Sequence, residues 1–292
     1  MYAHNLARLA GATVLTLALG LSSVAAQDLK PFADTSRLVS IGGSLTEIIY
    51  ALGEQGKLVA RDQTALYPEA AVALPDVGYM RALAPEGVLS VSPSALLVIE
   101  GSGPPEALEV LSHAGVEYQT VPESYSAEGV LLKIRAVGQA LGVADKAEAL
   151  AKTTELQFAE LAARTDAVTQ PKRILFILSV EGGKIQASGT GTAADGIIAL
   201  AGGVNAIDEY SGYKALTEEA IIDAAPDVIL MMDRGGDHSA SDADLKANPA
   251  IALTPAGQND AFHRLDGAYL LGFGPRTAAA AGEVVDLLYG AN

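Results

Sequence analysis

The chain has 292 residues, no cysteine, four histidines and a formal net charge of −16. Such acidity argues against nucleic acid and anionic membrane surfaces as partners and suits a soluble protein that docks to a basic surface. Without cysteine, disulfides are excluded even for an exported chain, so stability has to come from packing.

The first 26 residues read as a secretory signal. Arg8 gives a positive start, Leu9 to Leu21 an apolar core, and Val24-Ala25-Ala26 the small residues ahead of Gln27. The apolar stretch is too short to favour a membrane span. Cleavage after about Ala26 is expected, leaving 266 residues (292 − 26), enough for two ordinary lobes. With no cysteine to carry a lipid anchor, the mature protein is expected to be free in the periplasm, as a monomer.

After the signal, short β-branched runs alternate with helical patterns, the mark of an α/β fold. Leu38 to Ile41 predicts a strand. Ser44-Leu45-Thr46-Glu47 then looks like a capping box opening a helix over 48–52 that Gly53 closes. Further strands are predicted at Lys57 to Arg61, Ala95 to Ile99 and Glu117 to Val121. Between them lies Val77-Gly78-Tyr79-Met80-Arg81, flanked by Gly and Pro and read as extended or turn. In an extended chain residues i and i+2 point the same way, so the Arg81 guanidinium can sit beside the Tyr79 phenol oxygen. A fixed positive charge favours the ionised phenol. A phenolate is a hard oxygen ligand suited to ferric iron, and tyrosine is one of the few axial haem ligands among side chains.

A duplicated segment divides the chain. Residues 86–99 and 219–232 each begin with a glutamate, Glu86 and Glu219, seven residues before a proline, with an apolar helical turn between and a buried-type strand after. Between the halves, from Asp145 to Arg164, Ala147, Leu150, Ala151, Thr154, Phe158 and Leu161 fall on one helical face. A helix of that length is about 30 Å long and reads as a stiff strut that permits only small opening and closing motions. The expected architecture is two similar α/β lobes joined by a single long α-helix. Its parts are 27–122 (N-terminal lobe), 123–170 (helical region with the linking helix) and 171–292 (C-terminal lobe).

The second half restarts with a strand at Arg173 to Leu178, a glycine-rich loop and a helix from Thr192 to Leu200. Gly189-Thr190-Gly191-Thr192 lacks the lysine and spacing of a phosphate loop and reads as a cleft-lining helix start. Arg234, just past the strand Val228 to Met232, is placed to pair with a carboxylate in the cleft. Arg276, in a Gly-Phe-Gly-Pro turn, reads as structural, and Tyr67 as a pocket-lining candidate. Asp233, Asp237, His238, Asp242 and Asp244 read as a solvated loop rather than a metal site. His113 reads as a helix-end cap, and His263 falls in a late strand or turn. No Gly-x-Ser-x-Gly elbow, Walker loop or His-Glu-x-x-His is present, so no enzymatic activity is expected.

Several segments carry a resemblance to a known family. They are Ser40-Ile41-Gly42-Gly43-Ser44-Leu45-Thr46-Glu47, Leu74-Pro75-Asp76-Val77-Gly78-Tyr79-Met80-Arg81 and Ala84-Pro85-Glu86-Gly87-Val88-Leu89-Ser90 in the first half. In the second are Thr192-Ala193-Ala194-Asp195, Leu200-Ala201-Gly202-Gly203 and Gly272-Phe273-Gly274-Pro275-Arg276-Thr277. Over residues 37–292 the chain resembles periplasmic haem-binding proteins that feed ABC-type haem importers of Gram-negative bacteria. These stand beside cobalamin- and siderophore-binding proteins of the same helix-linked build. The resemblance implies haem (ferric protoporphyrin IX) as transported ligand, Tyr79 as axial iron ligand and Arg81 as the residue that hydrogen-bonds or polarises it. It also implies docking of Glu86 and Glu219 onto arginines of an inner-membrane permease, itself joined to an ATPase. With no histidine from Leu178 to Thr192, one haem per protein is expected. The alternative is the same fold binding a ferric siderophore or a cobalamin.

Overall fold

The computed structural model describes residues 29–233 and 241–290. The N-terminal lobe is built on four parallel strands, β1 (Leu38–Ile41), β2 (Leu58–Arg61), β3 (Ala95–Ile99) and β4 (Glu117–Val121), in the order β2-β1-β3-β4. Every residue of β1 and β3 is buried. Both are central strands covered on two faces, which is why they read as continuous apolar runs rather than as alternations.

The C-terminal lobe carries β5 (Arg173–Glu181), β6 (Lys184–Ser188), β7 (Val204–Asn205), β8 (Tyr213–Ala215), β9 (Val228–Asp233) and β10 (Phe262–Asp266). Its order is β10-β9-β5-β6-β8, with β7 also beside β5. β5, β9 and β10 run parallel, whereas β5-β6-β8 is antiparallel. Gly182 and Gly183, at φ 56° and 80°, make the two-residue turn between β5 and β6 that side-chain-bearing residues resist.

The duplicated segment is a structural repeat. Helix Pro85–Leu89 leads into β3, and helix Glu218–Ala224 leads into β9. β3 lies beside β1, and β9 lies beside β5, the first strand of its own sheet. The likeness extends to the backbone. Ser92 and Ala225, each just before the shared proline, are left-handed at φ 48° and 40°, a conformation few non-glycine residues adopt.

The linking helix spans Ala144–Thr165, 22 residues, or about 33 Å. Ala147, Ala151, Thr154, Phe158 and Leu161 are buried along it, with Leu150 half-buried, as the helical face required. It packs on helix Ala127–Ala140, where Gly138 leaves no room for a side chain: a Cβ there would lie 2.1 Å from that of Ala147. One apolar core runs through both lobes, including Leu97, Phe158, Ile198, Phe273 and Val284, and a second lies on the other side of the C-terminal sheet around Leu175, Ile229 and Ile251.

One local expectation fails. The helix expected to start after a Ser44–Glu47 capping box begins at Gly43, with Gly42 as its cap at φ 121° and no side-chain cap. Ser44 and Glu47 are buried inside it, and both serve long-range partners instead.

Candidate ligand-binding cleft

In an open parallel sheet, strand ends converge at a crevice where the chain's crossovers change direction. Here the crevices of the two lobes face one another across a cleft of about 1340 Å³. Gly42, Gly43, Ile99 and Glu100, beyond β1 and at the end of β3, line one side; Leu178, Met232, Asp233 and Asp266, from β5, β9 and β10, line the other. Gly191, Thr192 and Ala193 line it too, as expected of that helix start, with the Thr192 hydroxyl accepting from the Asp195 amide at 3.0 Å.

Tyr79 and Arg81 enter the cleft from a strap laid along the edge of the first sheet. Arg61 N–H donates to Pro75 O and Val77 N–H to Arg61 O, both at 3.0 Å, which adds residues 75–77 beside β2. Gly78 turns the chain at φ 105°, its N–H donating to Asp76 Oδ1 at 2.8 Å. Gly103 N–H to Met80 O, at 2.8 Å, ties down the far end. Val77 and Met80 are buried, whereas Tyr79 and Arg81 are exposed in the cleft. Arg81 Nη1 donates to Tyr79 Oη at 2.9 Å. Burial opposes the Arg81 charge, but the hydrogen bond and nearby phenols outweigh it and raise the guanidinium above its usual pKa. The pair is therefore a phenol oxygen held by a permanent cation.

Beneath the cleft, polar side chains join the lobes. Glu47 accepts from the Arg276 backbone N–H at 3.1 Å and from Arg276 Nη2 at 2.9 Å. The Arg276 guanidinium lies 3.5 Å from the centre of the Tyr67 ring, a cation–π contact. Arg276 and Tyr67 also line the cleft and an adjoining pocket of about 350 Å³. Lys133, fully buried, donates to Glu123 Oε1 at 2.6 Å and to Phe273 O at 3.0 Å, with Ser44 Oγ at 3.4 Å. Burial pushes the Lys133 ammonium down and the Glu123 carboxyl up, each shift opposed by the other's charge. Asp62, also buried and raised for that reason, accepts from Gly42 N–H at 2.9 Å and Thr64 N–H at 3.0 Å and so fixes the cleft's first turn.

Tyr79, Arg81 and Tyr67 all line the cleft. Arg276 does more than stabilise its own turn, since it joins the lobes and lines the cleft. Glu86 and Glu219 stand exposed in the first turns of their helices, one per lobe and outside the cleft lining. The Glu219 carboxyl is held below its ordinary pKa by its own backbone N–H and the Thr217 hydroxyl. Arg234, Asp237 and His238 lie outside the described residues, as does the signal segment. Asp242 pairs with Arg264, and Asp244 completes a capping box with Ser241. His113 ends its helix, and half-buried His263 lies in β10. Lys133 beneath the cleft and Glu123, Tyr125 and Tyr213 in its lining were missed, because each is placed by tertiary packing rather than through a local pattern.

Residues 38–269 match the family model described as periplasmic binding protein. Among solved structures, the periplasmic heme-binding protein BhuT in complex with two hemes is 39% identical with a TM-score of 0.83, over 86% of this chain and 97% of that one. Apo RhuT, a periplasmic heme-binding protein from Roseiflexus sp. RS-1, is 37% identical with a TM-score of 0.83, over 88% and 98%. An uncharacterized ABC transporter substrate-binding lipoprotein of Bacillus subtilis, YvrC, is 28% identical over 71% of this chain and 67% of its own length. With its two α/β lobes, linking helix and interlobe cleft, the chain belongs to the periplasmic binding protein family.

Proposed function

We propose that this protein captures haem in the interlobe cleft and delivers it to an ABC-type haem permease of the inner membrane. The observation that carries the reading is the 2.9 Å contact between Arg81 and the Tyr79 oxygen inside the cleft. A guanidinium at that distance holds the phenol oxygen in place within the cleft, and tyrosine oxygen is one of the few side-chain axial ligands of haem iron. Leu66 and Tyr67 from one lobe, with Leu178, Met232 and Leu271 from the other, give the apolar walls that a porphyrin needs. The two structural relatives described above, at 39% and 37% identity, are named as heme-binding proteins.

In this reading Tyr79 is the axial ligand, Arg81 hydrogen-bonds and aims its oxygen, and one haem is held per protein. Arg234, following a strand whose last residues line the cleft, is assigned to a propionate. Glu86 and Glu219, at equivalent positions on the two lobes, are assigned to permease docking. The mature protein, cut after about Ala26, acts as a periplasmic monomer.

The test is a titration of the apo protein with ferric haem, followed by absorbance. A Soret band saturating at one equivalent is expected, with Tyr79→Ala losing or shifting it. An undisturbed band in Tyr79→Ala would refute Tyr79 as the ligand. Failure of the wild type to take up haem stoichiometrically, with uptake of a cobalamin or ferric siderophore instead, would refute haem as the cargo.

A further inference from the structure

Tyr67 leaves 44% of its surface open where the cleft meets the adjoining pocket. The loop that carries it is closely held. Thr64 N–H donates to Asp62 Oδ2 at 3.0 Å, Ala65 N–H to Asp62 O at 3.2 Å, and Leu66 N–H to Thr64 O at 3.0 Å. Gln63 N–H donates to Gly78 O at 2.9 Å, which ties this loop to the strap that carries Tyr79. The two tyrosines are therefore set by joined segments of one lobe wall.

The Arg276 guanidinium lies 3.5 Å from the centre of the Tyr67 ring. So short a separation is reached only over a ring face, because an approach in the ring plane is stopped at the edge. One face of Tyr67 is covered, and its exposure belongs to the other face and the rim. Arg276 comes from the C-terminal lobe, where the Tyr269 ring lies 5.2 Å from it. It crosses to the N-terminal lobe twice, to the Glu47 carboxylate by its backbone N–H and Nη2 and to Tyr67 by its plane. An aromatic face carries negative charge that opposes face-to-face stacking. A cation behind the ring offsets that charge and fixes the ring, and so prepares the open face for a second flat π system.

We infer that Tyr67 is a stacking platform for the bound porphyrin and that Arg276 is its positioning residue, so that the platform stands only while the lobes are together. The inference rests on the haem reading above, and it joins the floor of the cleft to the hold on the ligand. Parting the lobes would draw Arg276 off the ring and weaken that hold in the same movement. Stacking contributes modestly beyond area burial, and changes of this kind act mainly on dissociation.

The experiment loads wild type, Tyr67→Leu, Arg276→Lys and the double variant with ferric haem and times transfer to an excess of a haem-scavenging apoprotein. Arg276→Lys keeps a cation for Glu47 but loses the planar group that stacks. Tyr67→Leu is expected to release haem about fivefold faster and Arg276→Lys about threefold faster, with the Soret position unchanged because Tyr79 is intact. In the Tyr67→Leu background, Arg276→Lys should add no further acceleration. A residue that only held the lobes together would speed release equally in both backgrounds, and that additive result overturns the positioning role. Unchanged release from Tyr67→Leu overturns the platform. So does a Tyr67→Phe variant that releases as fast as Tyr67→Leu, since the retained ring should recover most of the difference. Failure of the wild type to take up stoichiometric haem overturns the functional reading itself, before any variant is compared.

Discussion

Lys133→Met removes a fully buried ammonium while keeping a long apolar stem. The lost nitrogen serves Glu123, whose side chain is only 15% exposed, the Phe273 carbonyl and the Ser44 hydroxyl. Phe273 is itself left-handed at φ 49° and 1% exposed, a backbone state that persists only when its surroundings hold it. Taking away one partner of a buried ion pair costs about 3–5 kcal/mol, because the other charge is left behind. For a chain of this size that corresponds to a fall in Tm on the order of 10 °C. The penalty shrinks when both partners go. Burial alone penalises each charge, as the opposed pKa directions show, and apolar replacements of buried pairs are often neutral. Lys133→Met with Glu123→Leu is therefore expected to recover at least half of the loss. Urea unfolding of the apo proteins at pH 7 reads both values. A single variant within about 1 kcal/mol of wild type, or a double variant no better than the single, would refute the account of the pair.

Three further outcomes are expected. Glu86→Arg combined with Glu219→Arg should bind haem normally but lose transport in vesicles holding the cognate permease, and full transport would remove the docking assignment. Gly138→Ala should destabilise by about 1–3 kcal/mol through overpacking against Ala147, read by urea unfolding. Glu54 is held below its ordinary pKa of 4.5 by hydrogen bonds from Lys146 of the linking helix and from Lys57. A depressed carboxyl stabilises fully above its unfolded pKa and loses that contribution as pH falls through the folded value. Glu54→Gln should accordingly flatten the stability loss below about pH 4.5, and an acid limb as steep as that of wild type would contradict this.

What the sequence disclosed depended on distance along the chain. Tyr79 and Arg81 do meet, but across a turn that the Ala82 N–H closes onto the Tyr79 carbonyl at 2.8 Å rather than along the extended backbone their spacing suggested; the contact is still local to the chain. The linking helix was legible from its period, and its observed ends, Ala144 and Thr165, lie one residue outside the expected span. Glu47 shows where such reasoning stops. Three residues after a serine it has the look of a capping glutamate, yet its carboxylate meets Arg276, 229 positions away. Lys133 is likewise one lysine in a helix until the Phe273 carbonyl, 140 positions on, is brought to it. Local patterns record what a segment offers, not which distant group will claim it.

The same division separates how the protein holds its ligand from how it lets go. Under the proposed haem binding, the Tyr79–Arg81 pair is a local device already in place on the sheet edge, so binding needs little rearrangement. The relation between the lobes is instead set by a shared core and by long-range polar contacts beneath the cleft. Parting the lobes at that floor would separate Glu47 from Arg276 and strip the Phe273 carbonyl of its buried donor, each a cost of about 1–3 kcal/mol or more. Wide spontaneous opening is disfavoured for that reason, and a stiff linking helix does not supply it. Under the proposed docking, release is driven from outside, and force is best applied to a two-lobed clamp at one point on each lobe. Glu86 and Glu219 occupy equivalent places in a repeat whose helix, strand order and left-handed residue before proline all match. A permease gripping both would act on the lobes as a pair, so loosening the floor with Lys133→Met should raise unaided haem release while leaving the Tyr79 Soret band in place.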